Sequence, residues 1–251
     1  MKIELNGGEK IYFASDFHLG TPDYESSLQR EKKIVAWLDQ ISCDAKAIFL
    51  LGDQFDFWFE YKFMVPKGFV RFIGKLAELK DKNIQIFLFT GNHDMWMFDY
   101  FPKELGIPVI RQNTVLEVSN KRFLIGHGDG LGPGDLKYKF LKKLFNSKFC
   151  QWAFAFLHPW IGFTIGTNWS KSSRLTNTLN DEKFLGEKER IWIYTKEIES
   201  KEHHDFYIFG HRHLVLDLPV GKLSRYINLG EWVTSSHYAS FDGKEFQVKL
   251  A

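Results

Sequence analysis

The stretch "IFLLGDQFDFWFE", residues Ile48 to Glu60, opens with four apolar residues, turns at Gly52 and then sets two carboxylates, Asp53 and Asp56, among aromatics. A short apolar run ended by glycine reads as a buried strand. Desolvating a carboxylate is costly unless something pairs with it. The stretch therefore predicts a strand that delivers acids to positive charge.

The same pattern recurs along the chain. "KIYFAS" leads to "DFHLG", "IQIFLFT" to "GNHD", "RFLI" to "GHGD" and "FYIFG" to "HRH". Helical patterns lie between the early strands. "SLQREKKIVAWLDQI" places Leu28, Ile34, Val35, Leu38 and Ile41 near one face, and "VRFIGKLAELKDK" does so with Phe72, Ile73, Leu76 and Leu79. Strand alternating with helix predicts βαβ units, an α/β fold and a mainly parallel sheet. From Asp135 to about Glu199 no strand is expected. "DLKYKFLKKLFNSKFCQWAFAFLH" has a helical pattern loaded with aromatics, and "EKERIWIYTKEIES" reads as a surface helix. Residues 131–182 are taken as a helical insertion or cap in a core formed by residues 1–130 and 183–251. After His213 the pattern is all strand, through "LVLDLPV", "LSRYINLG", "HYASFD" and "EFQVKL".

A chain of 251 residues suits one large domain, or one domain with a substantial insertion. A formal net charge of +2 implies no global polyelectrolyte partner. No basic–aromatic strand motif points to RNA or DNA, so no nucleic-acid partner is expected. Cys43 and Cys150 form no short metal spacing and read as small apolar residues, which fits a reducing compartment. "MKIELNGGEK" lacks the apolar core of a signal peptide, and "WAFAFLHPWIGFTIGTNW" is too interrupted for a membrane span. The expected location is cytoplasmic.

In open α/β sheets, ligands bind beyond the carboxyl ends of strands. Asp16, His18, Asp53, Asn92, His127, His211 and His213 are thus expected to converge. Hard oxygens mixed with imidazoles suit Mn²⁺, Fe²⁺ or Zn²⁺ better than Ca²⁺. Seven such groups are too many for one ion with open positions. They fit two divalent ions about 3.5–4 Å apart, with Asp53 as the natural bridge. Any one of these residues alone reads as loop polarity; five loops in order, each after a strand, carry the metal reading. Such a site points to metal-assisted hydrolysis. Asp56 is expected to orient a ligand. His93, beside Asn92, is placed to donate to a phosphate or leaving oxygen. Asp94 either orients His93 or caps a helix. Arg212 either adds charge at the phosphates or sits on the rim.

"DFHLG", "GDQFD", "GNHD", "GHGD" and "GHRH" resemble the five ordered motifs of the calcineurin-like metallophosphoesterases, over the whole chain. The resemblance implies a four-layer αββα sandwich with a dinuclear centre. One ion would take Asp16, His18, Asp53 and His213; the other would take Asp53, Asn92, His127 and His211. More narrowly, "HGDGLGPGDLKYKFLKKLF" is similar to the start of the helical cap in UDP-2,3-diacylglucosamine pyrophosphohydrolases of lipid A synthesis. "GDQFDFW" resembles that family's Gly-Asp-x-Phe-x-x-Trp, with Trp58 in place. This resemblance implies hydrolysis of a nucleotide-linked glycolipid, UDP-2,3-diacylglucosamine, to 2,3-diacylglucosamine 1-phosphate (lipid X) and UMP. It also implies substrate contacts from Asp135, Tyr138, Arg174, Thr176, Asn180 and Lys183, beside Asn92, His93 and His211. The chain departs from that family at His93, where Arg is usual, and at Arg212, where Thr is usual. His93 restores the pattern of the wider superfamily.

Two other readings stand beside this one. A phosphodiesterase or phosphomonoesterase for soluble nucleotides would not need wide apolar walls. A binding scaffold on a degenerate fold would not keep every ligand. The insertion also joins Lys137, Lys139, Lys142, Lys143 and Lys148 to an aromatic stretch, the composition of an interfacial helix. An anionic membrane surface is therefore an expected partner, with the chain peripheral to the inner membrane.

Overall fold

The structure, a computed structural model, describes residues 1–181 and 183–251, with backbone alone for 174–181. The chain starts with β1 (Lys2–Ile3), β2 (Lys10–Ala14), α1 (Tyr24–Ile41), β3 (Ala45–Leu51), α2 (Val70–Asp81) and β4 (Gln85–Phe89). There follow α3 (Tyr100–Leu105), β5 (Val109–Ile110), β6 (Thr114–Val118) and β7 (Lys121–Ile125). Four helices come next: α4 (Leu136–Phe145), α5 (Lys148–Ala155), α6 (Pro159–Asp181) and α7 (Arg190–Glu199). The chain closes with β8 (Phe206–Phe209), β9 (Val215–Val220), β10 (Ser224–Leu229), β11 (His237–Phe241) and β12 (Phe246–Leu250).

The strands form two six-stranded sheets, ordered β1-β6-β7-β8-β10-β9 and β12-β11-β2-β3-β4-β5. In β3 the side-chain alternation divides two cores. Ala47, Phe49 and Leu51 face the other sheet, while Ile48 and Leu50 face the helices. Both faces are covered, so the strand reads as one continuous apolar run. Between the sheets, Phe49 stacks on Phe13 (5.3 Å) and Phe87 (4.9 Å), and Phe13 on Phe123 (6.0 Å). Outside one sheet, α1 and α2 bury Ile34, Trp37, Leu38, Phe72, Leu76 and Leu79. Outside the other, α7 packs Ile191 against Leu124, Tyr207, Phe209 and Tyr226. The layers are α, β, β and α, as expected.

Several details differ from the sequence reading. The sheets are mixed: β2 to β5 run parallel, but β6/β7, β9/β10, β11/β12 and β2/β11 are antiparallel. β1 and β5 have two residues each, too few to show a period, and α3 has six. The long helical pattern after Asp135 breaks into α4 and α5, because Ser147 caps the second helix by accepting from Cys150 N (3.1 Å). Cys43 is exposed and so not a core packer. Among the described residues, no helix is long and apolar enough to cross a membrane.

α6 packs in an unusual way. Up to residue 173 its buried positions are Gly162, Gly166 and Ser170, one every fourth residue, while Trp160, Ile161, Ile165 and Trp169 are exposed. A Cβ on Gly166 would overlap the Phe57 ring, and one on Gly162 would overlap the Tyr61 hydroxyl. The helix lies on the loop after β3 through its smallest residues.

Phe49 sits between two stacked rings with no exposure. Phe49→Ala should therefore cost about 3–5 kcal/mol in urea unfolding. A loss under ~1 kcal/mol would mean that the sheet interface closes around the gap.

Candidate metal centre

The loops that follow β2, β3, β4, β7 and β8 meet at one end of the sandwich. Five residues predicted as ligands, Asp16, His18, Asp53, His211 and His213, adopt positive φ, between 44° and 70°. Non-glycine residues seldom do so, at a cost on the order of 1–3 kcal/mol each. That strain is concentrated where the loops turn back toward one point. Close approach also needs glycine: a Cβ on Gly91 would lie 2.7 Å from Asp53 N and nearer still to its carboxylate. From the other side of α1, Arg30 is buried and donates to the carbonyls of Phe17 (2.7 Å) and His18 (2.6 Å), which fixes the first loop.

Six of the seven predicted ligands meet through side-chain contacts within 4 Å. His18 Nε2 and His213 Nε2 are 3.1 Å apart, and Asp16 Oδ1 is 3.6 Å and 3.3 Å from them. Asp53 Oδ2 lies 3.3 Å from His127 Nε2 and 3.9 Å from His18 Nε2, so it stands between two groups. Asn92 Oδ1 is 3.2 Å from His127 Nε2. The seventh, His211, sits with its ring centroid 5.3 Å from that of His127. His127 Nδ1 donates to Leu51 O (2.8 Å), which leaves Nε2 as the coordinating nitrogen.

The donor set fits divalent cations. Asp16 Oδ1 is fully buried and receives no hydrogen bond, although two imidazoles stand beside it. Two imidazole nitrogens facing each other at 3.1 Å, with a carboxylate oxygen alongside, are arranged as ligands of one ion. Donor atoms of Asp16, His18 and His213, and those of Asp16, Asp53 and His127, lie within 4.8 Å of one another in each set. A third such set joins His18, Asp56 and His93. Burial alone would raise the Asp16 carboxyl. The adjacent His18 and His213 imidazoles nonetheless hold it well below the usual range. Asp53 is likewise held low by the charge of His127 and His93 against the effect of burial. Burial opposes charge on His127, yet Asp53 lifts it to about 10. The carboxylates favour positive charge at His127, whereas burial pushes His211 down to about 4.

His93 lies beside this set. Its amide donates to Asp53 Oδ1 (2.8 Å). Its ring Nδ1 is 3.0 Å from Asp56 O, 3.8 Å from Asp56 Oδ1 and 2.7 Å from Ser170 Oγ. Burial pushes the imidazole down to about 4. Asp56 Oδ1 is also 3.7 Å from His18 Nδ1, between the two rings.

Two residues read with alternatives have other roles. The Asp94 carboxylate neither orients the His93 ring nor caps a helix. It accepts from the amides of Gly91 (2.7 Å), Gln54 (2.8 Å), Asp53 (3.3 Å) and Phe55 (3.4 Å), and so ties the second motif to the third. Burial and the nearby Asp53 charge push it up to about 7, against the pull of those amides. Arg212 is neither a phosphate ligand nor a rim residue. It is buried and donates from Nε and Nη2 to the two oxygens of Glu189, at 2.9 Å each.

The residues expected to touch substrate from the insertion are spread. Tyr138 donates its hydroxyl to Asp129, and its ring centroid is 6.5 Å from that of His211. Asp135 accepts from Arg190 (2.8 Å). Lys183 is exposed, with its carbonyl accepting from Arg212 (2.8 Å). Arg174, Thr176 and Asn180 lie outside the residues whose side chains are described. Sequence reasoning missed Arg30, Ser170 and Glu189. An arginine on the buried face of α1, one turn before Ile34, was a usable signal for the first; a lone serine and a surface-pattern glutamate gave none.

The calcineurin-like phosphoesterase family model matches residues 9–215, and the chain belongs to that family. Membership implies divalent metals, which the donor set fits. The chain is 38% identical to the UDP-2,3-diacylglucosamine hydrolase of Porphyromonas gingivalis, over 93% of this chain and 94% of that one. It is 29% identical to the enzyme of the same name from Proteus mirabilis, over 80% of each. A solved dimetal phosphatase from Danio rerio aligns with a TM-score of 0.48 at 12% identity, covering 98% of this chain and 96% of that one.

Asp94→Asn would aim an amide N–H₂ at backbone N–H groups or leave some of them unpaired. It should cost about 1–3 kcal/mol in thermal unfolding and lower bound metal by elemental analysis. Unchanged stability and metal content would show that the loops hold without it.

Proposed function

We propose that the protein is a metal-dependent hydrolase that cleaves UDP-2,3-diacylglucosamine to 2,3-diacylglucosamine 1-phosphate and UMP. The observation that carries this reading is the convergence of acid, amide and imidazole donors beside an aromatic insertion. The substrate is supported by the name of the relative that is 38% identical along almost the full length.

In this reading, Asp16, His18, Asp53 and His213 hold one ion, and Asp53, Asn92, His127 and His211 hold the other. Mn²⁺ is the preferred occupant, with Fe²⁺ and Zn²⁺ compatible with the same donors. When bound, the pair supplies Lewis acidity at the phosphoryl oxygens and an activated water at neutral pH. The protein groups do the rest. Asn92 and His93 meet the phosphate, and His93 stabilises negative charge on its oxygens through a hydrogen bond. Water adds to phosphorus as the bond to the bridging oxygen breaks, which releases the sugar phosphate and UMP.

Residues 131–182 act as the cap of a core made by 1–130 and 183–251. Its apolar walls, including Phe145 beside Trp169 (5.7 Å) and Phe163 beside Phe57 (5.3 Å), suit acyl chains. Asp135, Tyr138, Arg174, Thr176, Asn180 and Lys183 contact the polar part of the substrate, with Asn92, His93 and His211 at the phosphates. No nucleic-acid partner is proposed.

A membrane surface fits the same face. Phe140, Phe149, Trp152, Phe156 and Trp160 are exposed, close in sequence to Lys137, Lys143 and Lys148, which are exposed too. Two other lysines are committed inward, Lys142 to Asp129 (2.7 Å) and Lys139 to Gly132 O. We place the enzyme in the cytoplasm, peripheral to the inner membrane, because a diacyl substrate is met at a bilayer.

UMP release from UDP-2,3-diacylglucosamine should disappear on chelation and return with added Mn²⁺. Preferential cleavage of soluble nucleotide esters would replace the lipid reading with a general phosphodiesterase, and full activity without detectable metal would remove the metal reading.

Flotation with anionic vesicles should show salt-sensitive binding. Converting Lys137, Lys143 and Lys148 to glutamine should weaken it, by on the order of 1 kcal/mol for each lysine near the surface. No association at low salt would remove the membrane partner and leave the active site untouched.

A further inference from the structure

α6 reaches the candidate centre at one point. Gly162, Gly166 and Ser170 lie one turn apart on its buried face, and the first two let the backbone settle onto Tyr61 and Phe57. The third carries the only hydroxyl among the described residues buried on that face. Ser170 is 3% exposed, and its Oγ stands 2.7 Å from His93 Nδ1. The same nitrogen is 3.0 Å from the carbonyl oxygen of Asp56. A carbonyl only accepts, so the proton of a neutral His93 belongs on Nδ1 and is shared between Asp56 O and Ser170 Oγ. With Nδ1–H donating to these acceptors, Nε2 is left as the nitrogen that meets the substrate, and it donates to a phosphate oxygen once it carries a second proton, as the imidazolium.

We infer that Ser170 is a positioning residue: the insertion helix, seated through Gly162 and Gly166, supplies the second acceptor that fixes the tautomer and ring orientation of His93. The inference rests on the proposed contact between His93 and the phosphate. It makes the insertion part of the reaction geometry as well as a wall for the substrate. Asp56 O alone would allow the ring to swing about one hydrogen bond; two acceptors from separate elements hold it in one plane. The distances also explain why a small polar residue stands where the rest of the buried face is glycine. Alanine would leave Nδ1 of the imidazole with one partner.

The test uses the full-length, metal-loaded protein. Ser170→Ala should lower kcat about three- to tenfold, the effect of losing one neutral hydrogen bond, with KM and melting temperature nearly unchanged. Ser170→Thr should restore most of the loss. In a His93→Ala background, Ser170→Ala should have no further effect. Thr164→Ala, on the exposed face of the same helix, serves as a control and should leave kcat as it was. Imidazole ¹⁵N resonances give a readout that needs no turnover: wild-type His93 should carry its proton on Nδ1, and Ser170→Ala should mix the tautomers. A wild-type His93 protonated on Nε2 alone would overturn the inference, even if the variant failed to fold. So would an equal loss of kcat with and without His93. A chain that releases no UMP from the lipid substrate, yet shows the expected ¹⁵N pattern, would retire the substrate and keep the Ser170–His93 contact.

Discussion

Five carboxylates, Asp16, Asp53, Asp56, Asp94 and Asp129, are buried together at one end of the molecule. Burial of that kind is tolerated only where cations, imidazoles or amide N–H groups compensate it. The local architecture follows from this demand. Asp94 is met by four amides, which forces two loops to share one turn. Asp129 is met by Tyr138 and Lys142, which draws α4 onto the core. Asp16 and Asp53 are met by imidazoles that bring donor atoms of their own and remain the natural hosts of metal ions. The left-handed backbone at five predicted ligand residues is the cost of aiming these groups inward, and the two sheets behind them supply the stability that sustains it.

What could be read from the chain beforehand follows from how each signal is encoded. Strands that end in a ligand-bearing loop announce themselves, because apolar runs and Asp, His or Gly lie next to one another in sequence. Hence β2, β3, β4, β7 and β8 were legible, and so were the residues their loops deliver. The layers were legible too, since α1 and α2 keep a helical period. The short strands β1 and β5 were not, because two residues have no period and their pairing is decided by neighbours far along the chain. β6 alternates only over Leu116, Glu117 and Val118, too short a run to stand out. The roles of Asp94, Arg212 and Ser170 were also illegible. Each has a partner that lies 23 to 77 residues away, and no local pattern specifies which way the side chain turns.

The insertion shows the same limit in its packing. A helix with this many aromatics would ordinarily bury them, yet α6 turns glycine and serine inward and leaves Trp160 and Trp169 exposed. The two facts have one cause. Close contact with Phe57 and Tyr61 requires small residues on the inner face, so the large ones have only the outer face to occupy. An outer surface of that composition is an interaction face by its chemistry, which is why an apolar substrate and a bilayer are read from the same residues.

Each end of the insertion is also tied to a motif of the metal site. Near its start, Tyr138 and Lys142 engage Asp129, two residues beyond the predicted ligand His127. In its middle, Ser170 engages His93. Where the chain returns to the core, Arg212, between His211 and His213, binds the carbonyl of Lys183 and both oxygens of the fully buried Glu189. A buried pair of this kind adds little net stability, but removing one partner costs about 3–5 kcal/mol because the other is left charged and dry. The pair is therefore better understood as a fastening than as a source of stability: it admits one position for the returning chain. A lid hinged at its two ends would need those ends free to move. Here two motifs are bound to two points of the insertion and a third to the chain just past its end, so the insertion helices and the motif loops form one framework. Acyl chains held on the insertion and a phosphate held at the loops would then keep a fixed distance from each other, which is the condition for aligning a scissile bond with an attacking water.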